Sequence, residues 1–364
     1  MIQTEQLIEV REKDPHLRQF ENLERTAPDR TPSWLYATRK AALARFSELG
    51  FPTTRDENWR FTNIAPIAQL PFEPVLECDR SDVTRNQLLD LAFSRLESIQ
   101  LVFVNGHFAP ELSYLPALPS GVQIGSIGEG LCAGASLLER HLARYARVEN
   151  NPFTALNTAF FLDGAYISIP AGVALDKPIH LLFISNATDR GATISPRILI
   201  VAERHSRVTV LESYASVHDA EYFTNSVTEI VAEEGARVEH CKFQDESLEA
   251  FHMAALHLQL EKASNVISHS IATGGRLSRA NIYTQLGGPG VECVLNGLYL
   301  GKDEQTLDHF MIVEHAQPHC NSHEYFNGIL DGRSRGIFHG RILVQQIAQK
   351  TDAKQTNKNL LLSD

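Results

Sequence analysis

The chain has 364 residues, of which 43% are hydrophobic, and a formal net charge of −11 at pH 7, so it can hold two or three compact domains or one solenoid with a cap. The net negative charge argues against a nucleic-acid partner, because binding its phosphates requires clustered lysine and arginine. No apolar stretch approaches the ~20 residues of a membrane span, and the five cysteines form no CxxC pair, so we expect a cytoplasmic protein without a membrane partner.

Residues 1–95 are predicted to form an N-terminal helical domain. Thr31 at the N-cap and Pro32 at the first helical position indicate the start of its main helix, and Gly50 is typical of a left-handed C-cap. Apolar residues recur between them at helical spacing, with a broadened stripe: Trp34, Ala37, Ala41, Ala44 and Leu49, with Leu35, Leu43 and Phe46. Trp59 and Phe61 are expected to anchor this domain to the rest of the chain.

Residues 96–364 are predicted to form one β region. It begins with an apolar strand, Ile99–Val104, followed by the turn residues Asn105 and Gly106. A helical pattern of leucine and aromatic residues interrupts it at about residues 131–161. Strands then resume at residues 166–169 and 179–184.

From about Arg197 onward, the chain repeats a unit of an apolar strand, a tight polar turn and a second strand. The second strands recur at intervals of roughly 25–30 residues and begin at Val208, Val238, Val266, Val291 and Cys320. Because no amphipathic helix fits between the units, ordinary βαβ winding is unfavourable, and a unit this short has to stack on its neighbours to bury its apolar face. We therefore predict a solenoid of strands in which the four valines form an internal ladder.

The residue types that bind metals are densest near residue 320, in a group that comprises His309, His315, His319, Cys320 and His323. On one strand, residues four apart stand about 13 Å apart, whereas a metal-bound nitrogen lies roughly 2.0–2.1 Å from the metal. One strand therefore cannot bring the histidines to one ion, although neighbouring coils can. His319, Cys320 and His323 are candidate metal ligands, and ordinary hydrogen-bonded histidines are the alternative. Cys241 and Cys293 are expected to be small core residues.

Motifs for catalysis are lacking, since the sequence has no Walker lysine loop, GxGxxG, GxSxG or HExxH. The pattern favours a scaffold over two alternatives. A carbohydrate-active parallel β-helix requires clustered carboxylates and aromatic platforms, whereas the two tryptophans both precede the repeat. A metal-binding cupin-type barrel requires a His-x-His motif with a downstream Glu, which the spacing of His319 and His323 does not provide.

Motifs along the whole chain carry a more specific signal. Near the C-terminus they are residues 334–340 (Ser-Arg-Gly-Ile-Phe-His-Gly), 349–357 and 359–363, and earlier they are residues 57–62 (Glu-Asn-Trp-Arg-Phe-Thr), 156–164 and 178–181. In this order they closely resemble the SufB/SufD family of the SUF system for iron–sulfur cluster assembly. The modest N-terminal helical region and the absence of a multi-cysteine motif favour the SufD branch of that family.

The resemblance implies a right-handed parallel β-helix that forms a heterodimer with SufB and works with the ATPase SufC. In the family, this complex receives sulfur and iron and builds a nascent cluster. We therefore expect a non-catalytic scaffold subunit that assists iron acquisition, with the ATPase activity in SufC. We expect no tightly bound cofactor, and only transient iron or iron–sulfur cluster at the interface of the complex.

The last strand departs from the family pattern. The family continues with a strand carrying a Cys-Ser/Thr-His-Gly motif and then a C-terminal helical domain that docks SufC, whereas this sequence stops at Asp364. We therefore expect a truncated chain, and at the unpaired edge of its last strand either a partner covers the edge or more chain belongs there. The candidate interface residues are Asn357, Asn359, Leu360, Leu361 and Leu362.

Overall fold

The protein is mainly β and forms a parallel β-solenoid of about seven turns with an N-terminal helical region, which confirms the predicted fold class. The computed structural model describes residues 15–28, 31–77, 83–93, 95–188 and 190–363. Each turn contributes one strand to each of two parallel sheets. Apolar side chains from both sheets meet between them, so the main core runs along the solenoid axis.

Seven helices are described, all before the regular part of the solenoid: α1 (Pro15–Thr26), α2 (Ser33–Leu49), α3 (Ala65–Ala68), α4 (Arg85–Leu89), α5 (Ile127–Cys132), α6 (Ser136–His141) and α7 (Pro152–Phe160). The α2 helix has Pro32 at its N-cap, so the prediction of Thr31 was one residue early. Its predicted C-cap is confirmed, because Gly50 has a φ of 62° and donates its N–H to the Phe46 carbonyl. Among these described helices, none is long and apolar enough to cross a membrane.

The buried face of α2 differs from the predicted stripe. Its buried residues are Leu35, Arg39, Ala42, Leu43 and Phe46. Three alanines predicted to form the stripe, Ala37, Ala41 and Ala44, are exposed, and Leu49 is only half-buried. Leucine and phenylalanine gain more free energy on burial than alanine does, so they decide which face of the helix packs inward. The same face brings a buried arginine against α7, where Arg39 Nη1 donates to the Ala159 carbonyl at 3.0 Å.

The first sheet supplies one side of every coil with β5 (Gly164–Ile169), β8 (Arg197–Ala202), β10 (Phe223–Ala232), β12 (Phe251–Leu260), β14 (Leu277–Leu286), β16 (Thr306–His315) and β18 (Arg335–Val344). The second sheet supplies the other side with β6 (Ile179–Ser185), β9 (Arg207–Ser216), β11 (Arg237–Asp245), β13 (Asn265–Ala272), β15 (Glu292–Gly301), β17 (Asn321–Leu330) and β19 (Asp352–Leu361).

The two ends of the solenoid are different. Shorter strands occupy the N-terminal end: β1 (Glu73–Pro74), β2 (Ile99–Val104), β3 (His107–Phe108), β4 (Gln123–Ser126) and β7 (Ala192–Ile194). There β3 pairs with β2 and β4 pairs with β5, both in antiparallel fashion, and these pairs end the parallel stacking of coils. At the other end, β18 and β19 are the last strands of their sheets.

The register of the coils confirms most of the predicted valine ladder. Val208 pairs with Val238, and Val238 pairs with Val266. Val266 then pairs with Cys293, because β15 begins at Glu292, so the prediction of Val291 was wrong. Val291 lies before the strand and is nevertheless buried. Since residues 291 and 293 share a face of an extended chain, the apolar pattern alone did not distinguish the two registers.

Candidate functional site

The middle coils of the solenoid contain charged side chains among the apolar ones. Side chains alternate along β9 and β11, so every second residue points into the solenoid. On β9, Glu212 points inward like Val208, and on β11, His240 and Lys242 point inward like Val238. All three are buried. A buried charge has to be paired or hydrogen-bonded to be tolerated, so the surroundings of each one decide its state.

The Glu212 carboxylate has partners on three sides. His240 Nε2 lies 2.9 Å from Oε1, Thr228 Oγ1 donates to the same oxygen at 2.9 Å, and the Tyr214 hydroxyl donates to Oε2 at 2.9 Å. Burial opposes ionisation of this group, but His240 and the hydroxyl donors outweigh it and hold the pKa of Glu212 below its ordinary value. Glu212 is therefore a carboxylate inside the solenoid.

A second buried acid lies one coil further on. His252 Nδ1 is 2.6 Å from Glu246 Oε2, and Thr224 Oγ1 donates to Glu246 Oε1 at 2.6 Å. Burial lowers the pKa of His252, whereas the partners of Glu246 overcome its burial and lower the pKa of that carboxyl. A neutral imidazole thus faces an ionised carboxylate.

Lys242 places a positive charge near both acids. Burial is the main cause that lowers its pKa to about 8, and Glu212 and Glu246 oppose that shift. Its Nζ lies 5.4 Å from the centre of the Tyr214 ring. The adjoining chamber has a volume of about 20 Å³, which is about the space of one water molecule. The cluster is therefore suited to balancing charge within the coils and is too confined for an organic substrate.

The three candidate metal ligands have different surroundings. His319 is exposed in a turn with a φ of 62°, and Cys320 is buried with Sγ 3.2 Å from the Gly288 carbonyl oxygen. His323 points outward, with Nε2 3.5 Å from Asp352 Oδ2. The structure does not bring the three side chains to one point, because neighbouring residues alternate between core and surface. Over the described ranges, no group of three His, Cys, Asp or Glu side chains is placed to hold a metal, so the metal role stays a prediction.

The cysteines within the strands divide between the two faces. Cys293 is buried in the core, as predicted, and burial raises the pKa of its thiol. Cys241 is on the outer face of β11, so its prediction as a core residue was wrong. The phase set by Val238 places His240 inside and Cys241 outside. Cys78 lies outside the described residues.

Trp59 anchors the N-terminal region to the first sheet, as predicted. Its ring lies 3.8 Å from the Arg279 guanidinium carbon and 5.3 Å, between centroids, from Phe153. Arg279 also pairs with Asp308 at 2.5 Å and donates to the Asn58 carbonyl at 2.8 Å.

Phe61 does not share this role. Its side chain is 56% exposed, so the prediction that it is an anchor was wrong. The neighbouring Thr62 hydroxyl donates instead to Asp308, which ties this part of the chain to β16.

The last coil is the most exposed part of the solenoid. Every residue of β18 and β19 is at least partly exposed, whereas β16, one coil earlier, is largely buried. Leu360 and Leu361 are 55% and 65% exposed, and Leu362 is similarly open. The leucines of the predicted interface are therefore at the surface, and their contact with a partner stays a prediction.

The two asparagines of the predicted interface form an ordered group on this coil. Asn357 Nδ2 donates to the Tyr299 hydroxyl at 2.9 Å, and that hydroxyl donates to Asn359 Oδ1 at 2.6 Å. Asn359 Nδ2 in turn donates to Asn357 Oδ1 at 2.7 Å. These bonds hold β19 against β15, two coils away in the second sheet, and present the strand in a defined position.

Two family models together match nearly the whole chain. The SufBD protein N-terminal region matches residues 11–181, and the SufBD core domain of SUF-system FeS cluster assembly matches residues 183–364. The chain belongs to the SufB/SufD family. The boundary between the two matches falls within β6, at the start of the regular coils.

Curated relatives agree with this assignment. An iron–sulfur cluster assembly SufBD family protein of Synechocystis sp. is 31% identical over 91% of this chain and 74% of its own length. The iron–sulfur cluster assembly protein SufD of Escherichia coli is 27% identical over 88% of this chain and 72% of its own length. The iron–sulfur cluster assembly protein SufD of Bacillus subtilis is 24% identical over 92% of this chain and 76% of its own length.

The buried ionic residues of this SufB/SufD family member were missed by the sequence analysis. The signal was available, because Glu212 and Lys242 occupy every second position after valines that were correctly placed inside. Arg197 on β8 and Glu229 on β10 form another buried ion pair on the outer face of the first sheet, with 2.6 Å between Arg197 Nη2 and Glu229 Oε1, and no sequence pattern indicated it. It depends on helices that cover the outer face of the first sheet.

Proposed function

We propose that the chain is a SufD-type scaffold subunit of SUF iron–sulfur cluster assembly that acts with a SufB-type partner and a SufC-type ATPase. The observation that carries the proposal is the regular parallel β-solenoid, whose coils coincide with the match to the SufBD core domain over residues 183–364. The SufD relatives that match most of the chain support the choice of branch. On this proposal ATP hydrolysis belongs to the SufC-type partner.

Iron and the nascent cluster are cargo of the complex in this proposal. The packed interior leaves space for about one water molecule beside Lys242. Transient contact at a partner interface is therefore the favoured arrangement, with assistance in iron acquisition as the contribution of this subunit. Cys241, Cys293 and Cys320 are free thiols, which supports a reducing, cytoplasmic location.

Partner association tests the proposal directly. A double change, Leu360→Asp and Leu361→Asp, places two charges on the exposed coil and should weaken co-purification with a SufB-type partner at least about tenfold, or 1.4 kcal/mol. The control Leu89→Asp alters a leucine of similar exposure at the other end of the molecule and should leave association unchanged. Equal association of all three proteins would contradict the proposed interface, and failure of the unaltered protein to bind any SufB-type partner would contradict the function.

The metal prediction has its own experiment. Cys320→Ala, His319→Ala and His323→Ala are compared with the unaltered protein in anaerobic iron–sulfur reconstitution of the complex, with cluster yield measured by absorbance. Loss of yield in each variant would support a shared role. Equal yield in all of them would exclude it.

A further inference from the structure

A groove of about 600 Å³ lies on the outer face of the first sheet, between two segments that pack over it. This volume is within the range of pockets that bind small molecules. One wall is the segment 49–59, and the other is the segment 145–152. The groove is separate from Leu360, Leu361 and Leu362 and from the charged cluster inside the solenoid.

Four strands form the floor of the groove. Register places the outward residues His257, Tyr283, Ile312 and Arg341 side by side on β12, β14, β16 and β18. Neighbouring strands lie about 4.8 Å apart, so this row is roughly 14 Å long. The length corresponds to about four residues of extended peptide at ~3.3 Å per residue.

Both walls are held in place by buried charges. Glu229 Oε2 accepts the backbone N–H groups of Tyr145 and Ala146 at 2.8 and 3.0 Å, which fixes the wall that carries Arg147. The opposite wall is held where Arg279 donates to the Asn58 carbonyl. The groove is therefore already formed, which lowers the entropic cost of binding a ligand.

His257 contributes an unsatisfied polar atom to the floor. Its ring stacks on Tyr283 at a centroid distance of 4.8 Å, and within the described structure its buried Nε2 has no hydrogen-bond partner. Burial lowers the pKa of His257 to about 3, so the ring is neutral near pH 7. A buried polar atom without a partner is costly, and a ligand in the groove would offer it one.

Opposite charges lie toward opposite ends of the groove. At the end near β12, Arg147 is exposed and has no hydrogen bond or ion pair with any described residue. At the end near β18, Asp56 and Glu314 accept hydrogen bonds from Thr53 and Gln345 but have no cationic partner among the described residues. Glu57 is already neutralised by Arg341 at 2.9 Å.

We propose that this groove binds a small zwitterionic, peptide-like molecule, with its carboxylate at Arg147, its ammonium group near Asp56 and Glu314, and a hydrogen bond to His257 between them. The floor row of roughly 14 Å matches about four extended residues. A polyanion does not fit, because acidic side chains outnumber basic ones in the lining. The site is independent of the proposed assembly role.

Tetra-alanine with free termini is the probe for this site, and its binding to the full chain is measured by NMR titration. C-terminal amidation should weaken binding at least about fivefold. Arg147→Ala should weaken binding of the free peptide by the same factor and should make binding insensitive to amidation. His257→Phe, which keeps the stacked ring and removes the nitrogens, should weaken binding of both forms.

Arg144→Ala is the matched control. Arg144 lies in the same segment and donates to the Glu139 carbonyl, outside the groove, so its removal should leave the affinity unchanged. The proposal is overturned if tetra-alanine shows no saturable binding, if the free and amidated peptides bind equally, or if Arg147→Ala and Arg144→Ala behave alike.

Discussion

At the scale of single residues, the solenoid tolerates ionisable groups in its interior because each has a specific environment. Glu212 stays ionised through His240 and two hydroxyl donors. His309 shows the opposite case, since burial is the main cause that lowers its pKa to about 3 and Lys242 adds to the shift. Such residues make the stability of the fold depend on pH.

The sign of this dependence follows from the two states of His309. Its folded pKa is far below the ordinary value of about 6.5 in the unfolded chain, so below pH 6.5 only the unfolded state gains the proton. The stability that His309 contributes is therefore present above pH 6.5 and is lost as the pH falls. Between pH 7.5 and 5.5 the free energy of unfolding should fall by about 1.4 kcal/mol for this residue alone.

His309→Gln tests this expectation. Glutamine can still donate to Ser270, whose hydroxyl lies 3.1 Å from His309 Nε2, but it does not titrate. Urea unfolding at pH 7.5 and 5.5 should show a loss of stability on acidification that is smaller by about 1.4 kcal/mol in the variant. Equal losses in the variant and the unaltered protein would contradict the assignment of His309 as a buried neutral ring.

At the scale of the strands, alternation and register determine what each residue does. On β13, Val266 faces the core between Val238 and Cys293, whereas the next residue, Ile267, faces outward and is partly exposed. Parallel pairing in register gives each residue the same inward or outward direction as its partner in the next coil. A shift of one residue in the register would therefore turn the inward side chains of a strand to the surface.

Val266→Asp and Ile267→Asp form a matched pair of variants. The first buries a carboxylate among apolar neighbours without a partner and should destabilise the protein by about 4 kcal/mol or more. The second places the same charge on the outer face and should cost about 1 kcal/mol. Chemical denaturation followed by circular dichroism measures both, and similar midpoints would show that the register of β13 is wrong.

At the scale of the whole molecule, the N-terminal region is attached to one face of the solenoid at specific points. Trp59 is held between Arg279 and Phe153, and Asp308 binds both Arg279 and Thr62. This attachment also forms one wall of the groove proposed above. At the other end Leu360 and Leu361 are exposed, and we propose that a partner contacts them.

Trp59→Ala and Phe61→Ala test the attachment. Removing the buried indole should cost about 3 kcal/mol and should speed proteolytic cleavage between residues 50 and 62. Removing the exposed phenyl ring should change stability by no more than about 0.5 kcal/mol. Equal cleavage rates in the two variants would contradict the anchoring role of Trp59.

Much of the fold was predictable because local patterns suffice for it. Alternating apolar residues indicated the strands, and a repeat too short for a helix indicated stacked coils. The Gly50 cap and the Trp59 anchor were predicted correctly. The stripe on α2 was not, because alanine and leucine both count as apolar in a pattern, whereas only the bulkier residue gains much from burial.

The sequence by itself determined that this protein is a solenoid of strands and that it resembles the SufB/SufD family. Only the tertiary structure decided that Val266 pairs with Cys293, that Lys242 lies near two buried acids, and that Arg147, His257 and Glu314 line one groove. The physical reason is that alternation along a strand is a local property. Contacts between coils and between helices and sheets depend on packing across long separations in the chain, and one sequence pattern is compatible with several such arrangements.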